Sequence, residues 1–190
     1  MKRIATLSAT IVALSAPLHA NEMAATMQTY LETNIATWAN DPVLVAAIRA
    51  QNAETAGYDQ SRIDEMDQMW RGFAGSADAD IIADVINNPA AEFLRVQVAN
   101  SGGAITEAFV VDALGLNVAA SAPTSDYWQG DEEKFTRTFT VGPGAVHFGE
   151  VELDDSTQEV QSQVSVTIID TETGEPVGAL TVGINVTALM

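Results

Sequence analysis

The sequence predicts an α+β fold in which long N-terminal helices pack on a five-stranded, mainly antiparallel sheet. Before Gly103 the apolar residues recur every three or four positions, which is the spacing of one face of a helix. After Gly103 apolar and polar residues alternate, which is typical of strands with one buried face. Residues 21–190 are enough for a single domain, with a helical part over 21–103 and a sheet part over 104–190.

Capping residues and glycines divide the helical part. Asn40-Asp41-Pro42 predicts a helix start, because Pro is common at the first helical position after a capping residue. Whether this second helix is separate or a kinked extension of the first stays open. The methionines at 23, 27, 66 and 69 fall on apolar stripes and are expected in the core. We expect helices over Met23 to Ala39, Val43 to Ala50, Ile63 to Phe73, Ile81 to Ile86 and Pro89 to Val98.

The sheet part predicts strands in sequential hairpin order. Thr171 to Gly174 has the composition of a hairpin loop. One face of the last two strands is polar, and it is either solvated or the floor of a ligand pocket covered by residues 122–139. The predicted strands are 105–112, 116–121, 146–153, 160–169 and 177–186. The polar face comprises Gln161, Gln163, Ser165, Thr167, Thr181, Gly183 and Asn185.

Residues 1–20 have the pattern of a secretory signal peptide. Lys2 and Arg3 precede an uncharged apolar stretch, and Ala20 is a suitable cleavage point. The apolar stretch would span about 22 Å as a helix, short of a hydrocarbon core of about 30 Å. A cleaved leader is therefore favoured over a membrane anchor, which indicates a periplasmic location in a Gram-negative cell.

Composition excludes several classes of function. With 8 Lys+Arg against 26 Asp+Glu, the chain lacks the basic surface that nucleic acid or an anionic membrane requires. The absence of cysteine excludes disulfides, thiolate metal sites and a cysteine nucleophile. His147 is the only histidine after the leader, and no acid–base–nucleophile set stands out. We therefore predict no catalytic residue, no metal ligands and no cofactor, and expect the acids at 59, 64, 65 and 67 to be solvated.

Three segments of the sheet part carry a more specific signal. A strand ending in Asp112 is followed by a turn with Gly115 and a strand ending in Ser121. The run Asp-Tyr-Trp-Gln-Gly-Asp-Glu follows at 126–132, and the chain closes on a hairpin over 164–183. Over about residues 23–190 the sequence resembles the Cache family, the extracytoplasmic PAS-like sensor domains also called PDC domains.

The resemblance implies a domain that binds small molecules outside the inner membrane. In that family the run at 126–132 corresponds to the loop and short helix that cover the ligand. Such domains usually lie between two membrane helices and signal to an intracellular module. This chain ends directly after the last strand, so we expect a standalone exported domain that signals through a membrane receptor partner. A homodimer through the long N-terminal helix stays open.

The candidate ligand site lies in and below this covering segment. Tyr127 and Trp128 offer aromatic faces and Asp126 and Asp131 offer carboxylates, a combination that suits a cationic group. Alternatively, Trp128 packs on the sheet and Ser125 or Asp126 caps a helix. The remaining candidate ligand-binding residues are Ser121, Gln163, Thr181 and Asn185.

Basic residues give a further alternative. Lys134 and Arg137 share a helical face and could bind a ligand carboxylate, with Arg95 as a third candidate. An ion pair between Glu133 and Arg137 at i, i+4 explains Arg137 equally well.

We therefore expect a binding domain for a small polar or cationic metabolite, such as an amine, amino acid or organic acid. The alternatives are an interaction module for a membrane receptor and a divalent-cation-binding domain. The second is motivated by the acidic residues Glu150, Glu152, Asp154 and Asp155, for which a solvated surface is the simpler interpretation.

Overall fold

A computed structural model describes residues 16–73, 80–153 and 160–189. The helices are α1 (Ala16–Tyr30), α2 (Pro42–Thr55), α3 (Gln60–Gly72), α4 (Asp80–Ile86), α5 (Pro89–Asn100) and α6 (Glu133–Thr136). A π-helical turn, Leu31–Ile35, follows α1, and a 3₁₀ turn, Val186–Leu189, ends the described chain. Residues 1–15 of the predicted leader (1–20), the predicted break at 75–78 and the acids at 154 and 155 lie outside the described residues.

The helix starts follow the capping signals in the sequence. The Asp41 carboxylate accepts a hydrogen bond from the Val43 amide at 2.9 Å, and Pro42 occupies the first turn of α2. Asn88 caps α5 in the same way, through the Ala91 amide. Helix α2 is separate from α1, because residues 36–40 form a turn. The prediction of helices with these starts is therefore confirmed.

The sheet has the order β2-β1-β6-β5-β3 and all its pairs are antiparallel. Its strands are β1 (Ile105–Val111), β2 (Asn117–Ala120), β3 (Val146–Phe148), β4 (Glu152–Leu153), β5 (Val160–Ile169) and β6 (Pro176–Asn185). The α+β prediction is confirmed, but the third predicted strand is divided into β3 and the two-residue β4, which pairs with β5.

The predicted sequential hairpin order is wrong in the centre of the sheet. Strand β1 pairs with β6 as well as with β2, and β3 lies at the opposite edge beside β5. The reason is the segment between β2 and β3, which contacts β5 through α6 instead of forming a hairpin turn. The connection from β2 to β3 therefore runs from one edge of the sheet to the other and places its residues over one face.

The helical face of the sheet carries the larger hydrophobic core. Strand residues such as Val110, Leu180 and Val182 pack there against Leu44 and Leu94 of the helices. A second cluster lies on the opposite face, where Phe109 and Ala179 pack with Trp70, Tyr127 and Phe135. Among the described residues no helix is long and apolar enough to cross a membrane.

Burial decides between two open interpretations and shows one prediction to be wrong. The polar face of β5 and β6 is not solvated, because Gln161, Ser165 and Thr181 are all buried. Met69 is 44% exposed and is not a core residue. It lies on the outer side of α3, whose inner side is formed by Ile63 and Trp70.

Candidate functional site

A row of side chains crosses the sheet on the face opposite α1 and α2, called here the polar face. His147, Ser165, Thr181 and Phe109 are successive cross-strand partners in β3, β5, β6 and β1. Directly opposed residues point to the same side of a sheet, so these four share one face. The Ser165 Oγ and Thr181 Oγ1 atoms lie 3.0 Å apart, at 0% and 3% residue exposure.

The next row contains a glycine that lets two polar side chains meet. Gln163, Gly183 and Glu107 are cross-strand partners, and Gln163 Nε2 donates to Glu107 Oε1 at 3.0 Å. A Cβ at Gly183 would lie 2.7 Å from the Glu107 Cγ atom and 2.5 Å from the Thr106 hydroxyl. The absence of a side chain therefore makes room for the bulge at Thr106 and Glu107.

One polar atom of this face has no partner among the described residues. The Thr167 hydroxyl is buried and unpaired, and the alternation of β5 places Thr167 on the same face as Ser165. Asn117 Oδ1 is the other such atom. An unpaired buried oxygen costs free energy, about 1–3 kcal/mol, unless water or a ligand donates to it.

Residues 121–139, called here the covering segment, lie over the polar face. Phe135 is buried and stacks on Phe139 with ring centroids 5.2 Å apart. The Lys134 ammonium lies 5.5 Å from the centre of the Phe109 ring, and it pairs with the Glu132 carboxylate at 3.0 Å. Because the Lys134 side chain is only 16% exposed, a positive charge is held close to the polar face.

Helix α3 holds the covering segment through a buried carboxylate. Asp67 Oδ1 accepts hydrogen bonds from the backbone amides of Tyr127 and Trp128 at 3.0 and 3.1 Å. The Arg71 guanidinium bridges the Asp67 and Asp126 carboxylates at 2.8 and 3.0 Å. The prediction that Asp67 is solvated is therefore wrong, since it is 7% exposed.

The hairpin of β1 and β2 holds the same segment from the other side. Trp128 Nε1 donates to the Leu114 carbonyl at 2.9 Å, and the Gln129 amide donates to the Gly115 carbonyl at 2.8 Å. Gly115 has a φ of +81°, and a Cβ there would lie 2.6 Å from the Gly130 nitrogen. The Gly115 turn expected from sequence thus also makes close contact with the covering segment.

The aromatic and acidic candidates have structural partners. Tyr127 is buried against Trp70, with ring centroids 5.5 Å apart, and Asp126 pairs with Arg71. The helix-cap interpretation of Asp126 is wrong, because α6 begins only at Glu133 and the residue before it is Glu132. Trp128 is half-buried and Asp131 is exposed.

The candidates on the strands divide into two groups. Thr181 and Gln163 lie on the polar face, where Thr181 pairs with Ser165 and Gln163 donates to Glu107. The Ser121 hydroxyl accepts a hydrogen bond from the Ala108 amide at 3.0 Å. Asn185 Oδ1 accepts from the amides of Thr187 and Ala188, so it caps the C-terminal turn.

The other basic candidates are paired with acids. Arg137 pairs with Glu133 at 2.6 Å, which confirms the i, i+4 interpretation. Arg95 pairs with Glu92 and donates to the Ile86 carbonyl. Lys134 is the only one of the three candidates that lies against the polar face.

Two titratable groups respond to burial. Burial lowers the pKa of His147; the Glu133 carboxylate opposes this and Arg137 adds to it. Burial raises the pKa of Tyr127, and the charges of Asp112, Asp84 and Glu54 raise it further. Within the described ranges, no three His, Asp or Glu side chains are grouped to hold a metal ion.

Sequence reasoning missed the residues that hold the covering segment. The sequence predicts a solvated Asp67, gives no role to Arg71, and assigns Ser165 only to the polar face of a strand. The available signal was the spacing of Asp67, Trp70 and Arg71, which places all three on neighbouring turns of α3.

Comparison with known proteins finds similarity only at the level of structure. No family model and no curated protein matches the sequence. The sensor domain of the Vibrio cholerae histidine kinase DctB is 14% identical with a TM-score of 0.46, and the match covers 93% of this chain and 59% of that one.

Two chemoreceptors give similar values. The sensory domain of Campylobacter jejuni Tlp3 with isoleucine bound is 11% identical with a TM-score of 0.40, over 88% of this chain and 64% of that one. The ligand-binding domain of Pseudomonas aeruginosa PAO1 PctC, in complex with GABA, is 13% identical with a TM-score of 0.42. This match covers 91% of this chain and 61% of that one. This chain therefore spans about three fifths of these domains.

Proposed function

We propose that the chain is an exported Cache-type sensor domain that binds a small polar or cationic metabolite. The ligand lies between the polar face and the covering segment. The leader pattern of residues 1–20 supports export, and signalling then requires a membrane receptor partner.

The observation that carries this proposal is the buried polar row beneath the covering segment. Ser165 and Thr181 bury hydroxyl groups at the centre of the sheet, where an apolar pair would pack without the cost of removing polar groups from water. The unpaired Thr167 hydroxyl on the same face is available to a ligand. Polar groups placed between apolar walls are typical of small-molecule sites.

The charges around this face support an amine, an amino acid or an organic acid as ligand. Lys134 supplies a shielded positive charge for a carboxylate. Asp131 supplies an exposed negative charge on the covering segment for an ammonium group, and Asp126 supplies a second one if the ligand displaces Arg71 from it. An amino acid carries both groups, so we propose it as the first class to test.

Ligand entry requires the covering segment to move, because Phe135 and Lys134 pack against Phe109 of the row. The Asp67–Arg71–Asp126 network and the Trp128–Leu114 hydrogen bond hold the segment in the described position. When a ligand binds, contacts to the ligand replace some of these contacts within the protein.

A thermal-shift screen of the purified protein tests the proposal. It covers amino acids, amines, organic acids and purines. A ligand at a hundred times its Kd stabilises the folded state by about 2.7 kcal/mol. For a domain of this size that corresponds to an increase in Tm of about 5–10 °C. A screen in which no compound raises the Tm would overturn the proposal.

A further inference from the structure

A cavity of about 190 Å³ lies at the edge strand β2, between the end of α2 and helices α3 and α4. Its walls include Gln51, Glu54, Tyr58, Asp84 and Tyr127. It is bounded by helices, by β2 and by Tyr127 of the covering segment, and none of its lining residues belongs to β5 or β6. The cavity is therefore separate from the polar row.

Two carboxylates line this cavity without a cationic partner. Glu54 and Asp84 are both exposed at its rim, and neither forms an ion pair in the part of the chain that the structure describes. The basic side chains of α3, Arg62 and Arg71, pair with Glu65, Asp67 and Asp126 instead. The cavity thus carries two uncompensated negative charges.

A buried phenol faces the same space. Tyr127 is 5% exposed and lines the cavity, and its hydroxyl has no hydrogen-bond partner among the described residues. Its ring is fixed against Trp70 and its backbone amide by Asp67. Burial raises the pKa of Tyr127, and the charges of Asp112, Asp84 and Glu54 raise it further.

The other polar groups at the back of the cavity are already satisfied. Thr55 Oγ1 donates to Asp112 Oδ2 at 2.8 Å, and Gln51 Nε2 donates to the same oxygen at 3.2 Å. The free groups are the carboxylates of Glu54 and Asp84 and the Tyr127 hydroxyl. An ammonium group has three donors and no acceptor, so it complements three such oxygens.

An apolar groove continues from this cavity. The groove has a volume of about 460 Å³ and shares Gln51, Glu54, Asp84 and Val118 with the cavity. Its wall on α2 carries the small residues Ala46, Ala47 and Ala50. A hydrocarbon chain attached to the ammonium group can lie along these alanines, because their methyl groups leave room for it.

We propose that this cavity is a second binding site, independent of the polar face, that binds a small aliphatic amine. Glu54 and Asp84 pair with the ammonium group, the Tyr127 hydroxyl accepts a hydrogen bond from it, and Tyr58 contributes an aromatic wall. The alkyl chain lies on the alanines of α2. A hydrated Ca²⁺ is a poorer match, because it takes six to eight oxygen ligands and gains nothing from aromatic walls.

Calorimetric titration of the full chain with n-butylamine tests the proposal. n-Butanol and butyrate serve as neutral and anionic probes of similar size. The double variant Glu54→Gln/Asp84→Asn removes both charges, and Tyr127→Phe removes only the hydroxyl. The control variant Glu150→Gln/Glu175→Gln removes the same net charge at exposed positions outside the cavity.

We expect butylamine alone of the three probes to bind. Its affinity should fall about tenfold or more in Glu54→Gln/Asp84→Asn and severalfold in Tyr127→Phe, and stay unchanged in the charge control. No binding of butylamine at millimolar concentration, or equal affinities in the cavity variant and the control, would overturn the proposal.

A third variant separates this site from the polar face. Ser165→Ala/Thr181→Val alters the polar row and leaves the cavity intact, so butylamine affinity should not change. If butylamine binding is lost in this variant and kept in Glu54→Gln/Asp84→Asn, the amine binds at the polar face. That result would support the proposed function and overturn the second site.

Discussion

The Asp67 carboxylate on α3 accepts the backbone amide of Tyr127 at 3.0 Å, and this contact joins residues 60 positions apart in sequence. The same oxygen accepts the Trp128 amide, and the second oxygen pairs with Arg71. One buried side chain thus fixes the covering segment at two of its aromatic residues, Tyr127 and Trp128.

Replacing Asp67 with Ala should therefore destabilise the fold strongly. Two backbone amides, one of them buried, would lose a charged acceptor, and we expect a loss of about 2–4 kcal/mol in the free energy of unfolding. Urea denaturation measures it. Asp64→Ala, on the exposed side of the same helix, should change it by less than about 0.5 kcal/mol. Equal effects of the two substitutions would show that Asp67 does not hold the segment.

The Ser165–Thr181 hydroxyl pair gives a test by double substitution. Thr181→Val leaves the Ser165 hydroxyl buried without a partner and should cost about 1–3 kcal/mol. Ser165→Ala/Thr181→Val removes both polar groups, so it should be more stable than Thr181→Val alone. A double variant that is as unstable as the sum of the single variants would contradict the pairing.

Gly130 lies where a side chain would separate the covering segment from the hairpin. A Cβ there would collide with Trp128 Nε1 and lie 2.7 Å from the Leu114 carbonyl oxygen, the two partners of one hydrogen bond. Gly130→Ala should cost about 1–3 kcal/mol in unfolding free energy. Gly57→Ala has open space around it and should be neutral or stabilising by up to about 1 kcal/mol. Comparable stability of the two variants would contradict the described contact.

Stability should depend on pH through His147. Because burial lowers its pKa in the folded state, the unfolded state binds the proton first as the pH falls through 6.5. The contribution of His147 to the free energy of unfolding is complete above pH 6.5 and decreases until the pH lies below the lowered pKa. Urea denaturation across this pH range should show that the free energy of unfolding depends less on pH in His147→Gln than in the unaltered chain. An unchanged pH profile in that variant would contradict the assignment.

Local signals in the sequence predicted the local structure. Asp41 and Asn88 cap α2 and α5 because their side chains bond amides two or three residues away, a relation that depends on neighbouring residues alone. The same holds for the alternation of β5 and β6, which placed Ser165 and Thr181 on one face. These predictions needed no knowledge of the rest of the fold.

Contacts between distant segments could not be predicted in this way. Only Glu133–Thr136 of the covering segment is helical, because the backbone of 127–129 bonds Asp67, Gly115 and Asn117 instead. The predicted strand order was wrong for the same reason, because no local sequence pattern indicates that β1 pairs with β6. The cavity beside Tyr127 was also missed, because its walls come from three helices, from β2 and from the covering segment.

The most direct test of the proposed function measures the affinity of a screened ligand in a variant of the polar row. Calorimetry compares the unaltered chain with Ser165→Ala/Thr181→Val, and with Thr187→Val as an exposed control. If the ligand lies between the polar face and the covering segment, its Kd should increase about tenfold in the double variant and stay unchanged in the control. The same Kd in all three proteins would contradict a ligand site on the polar face.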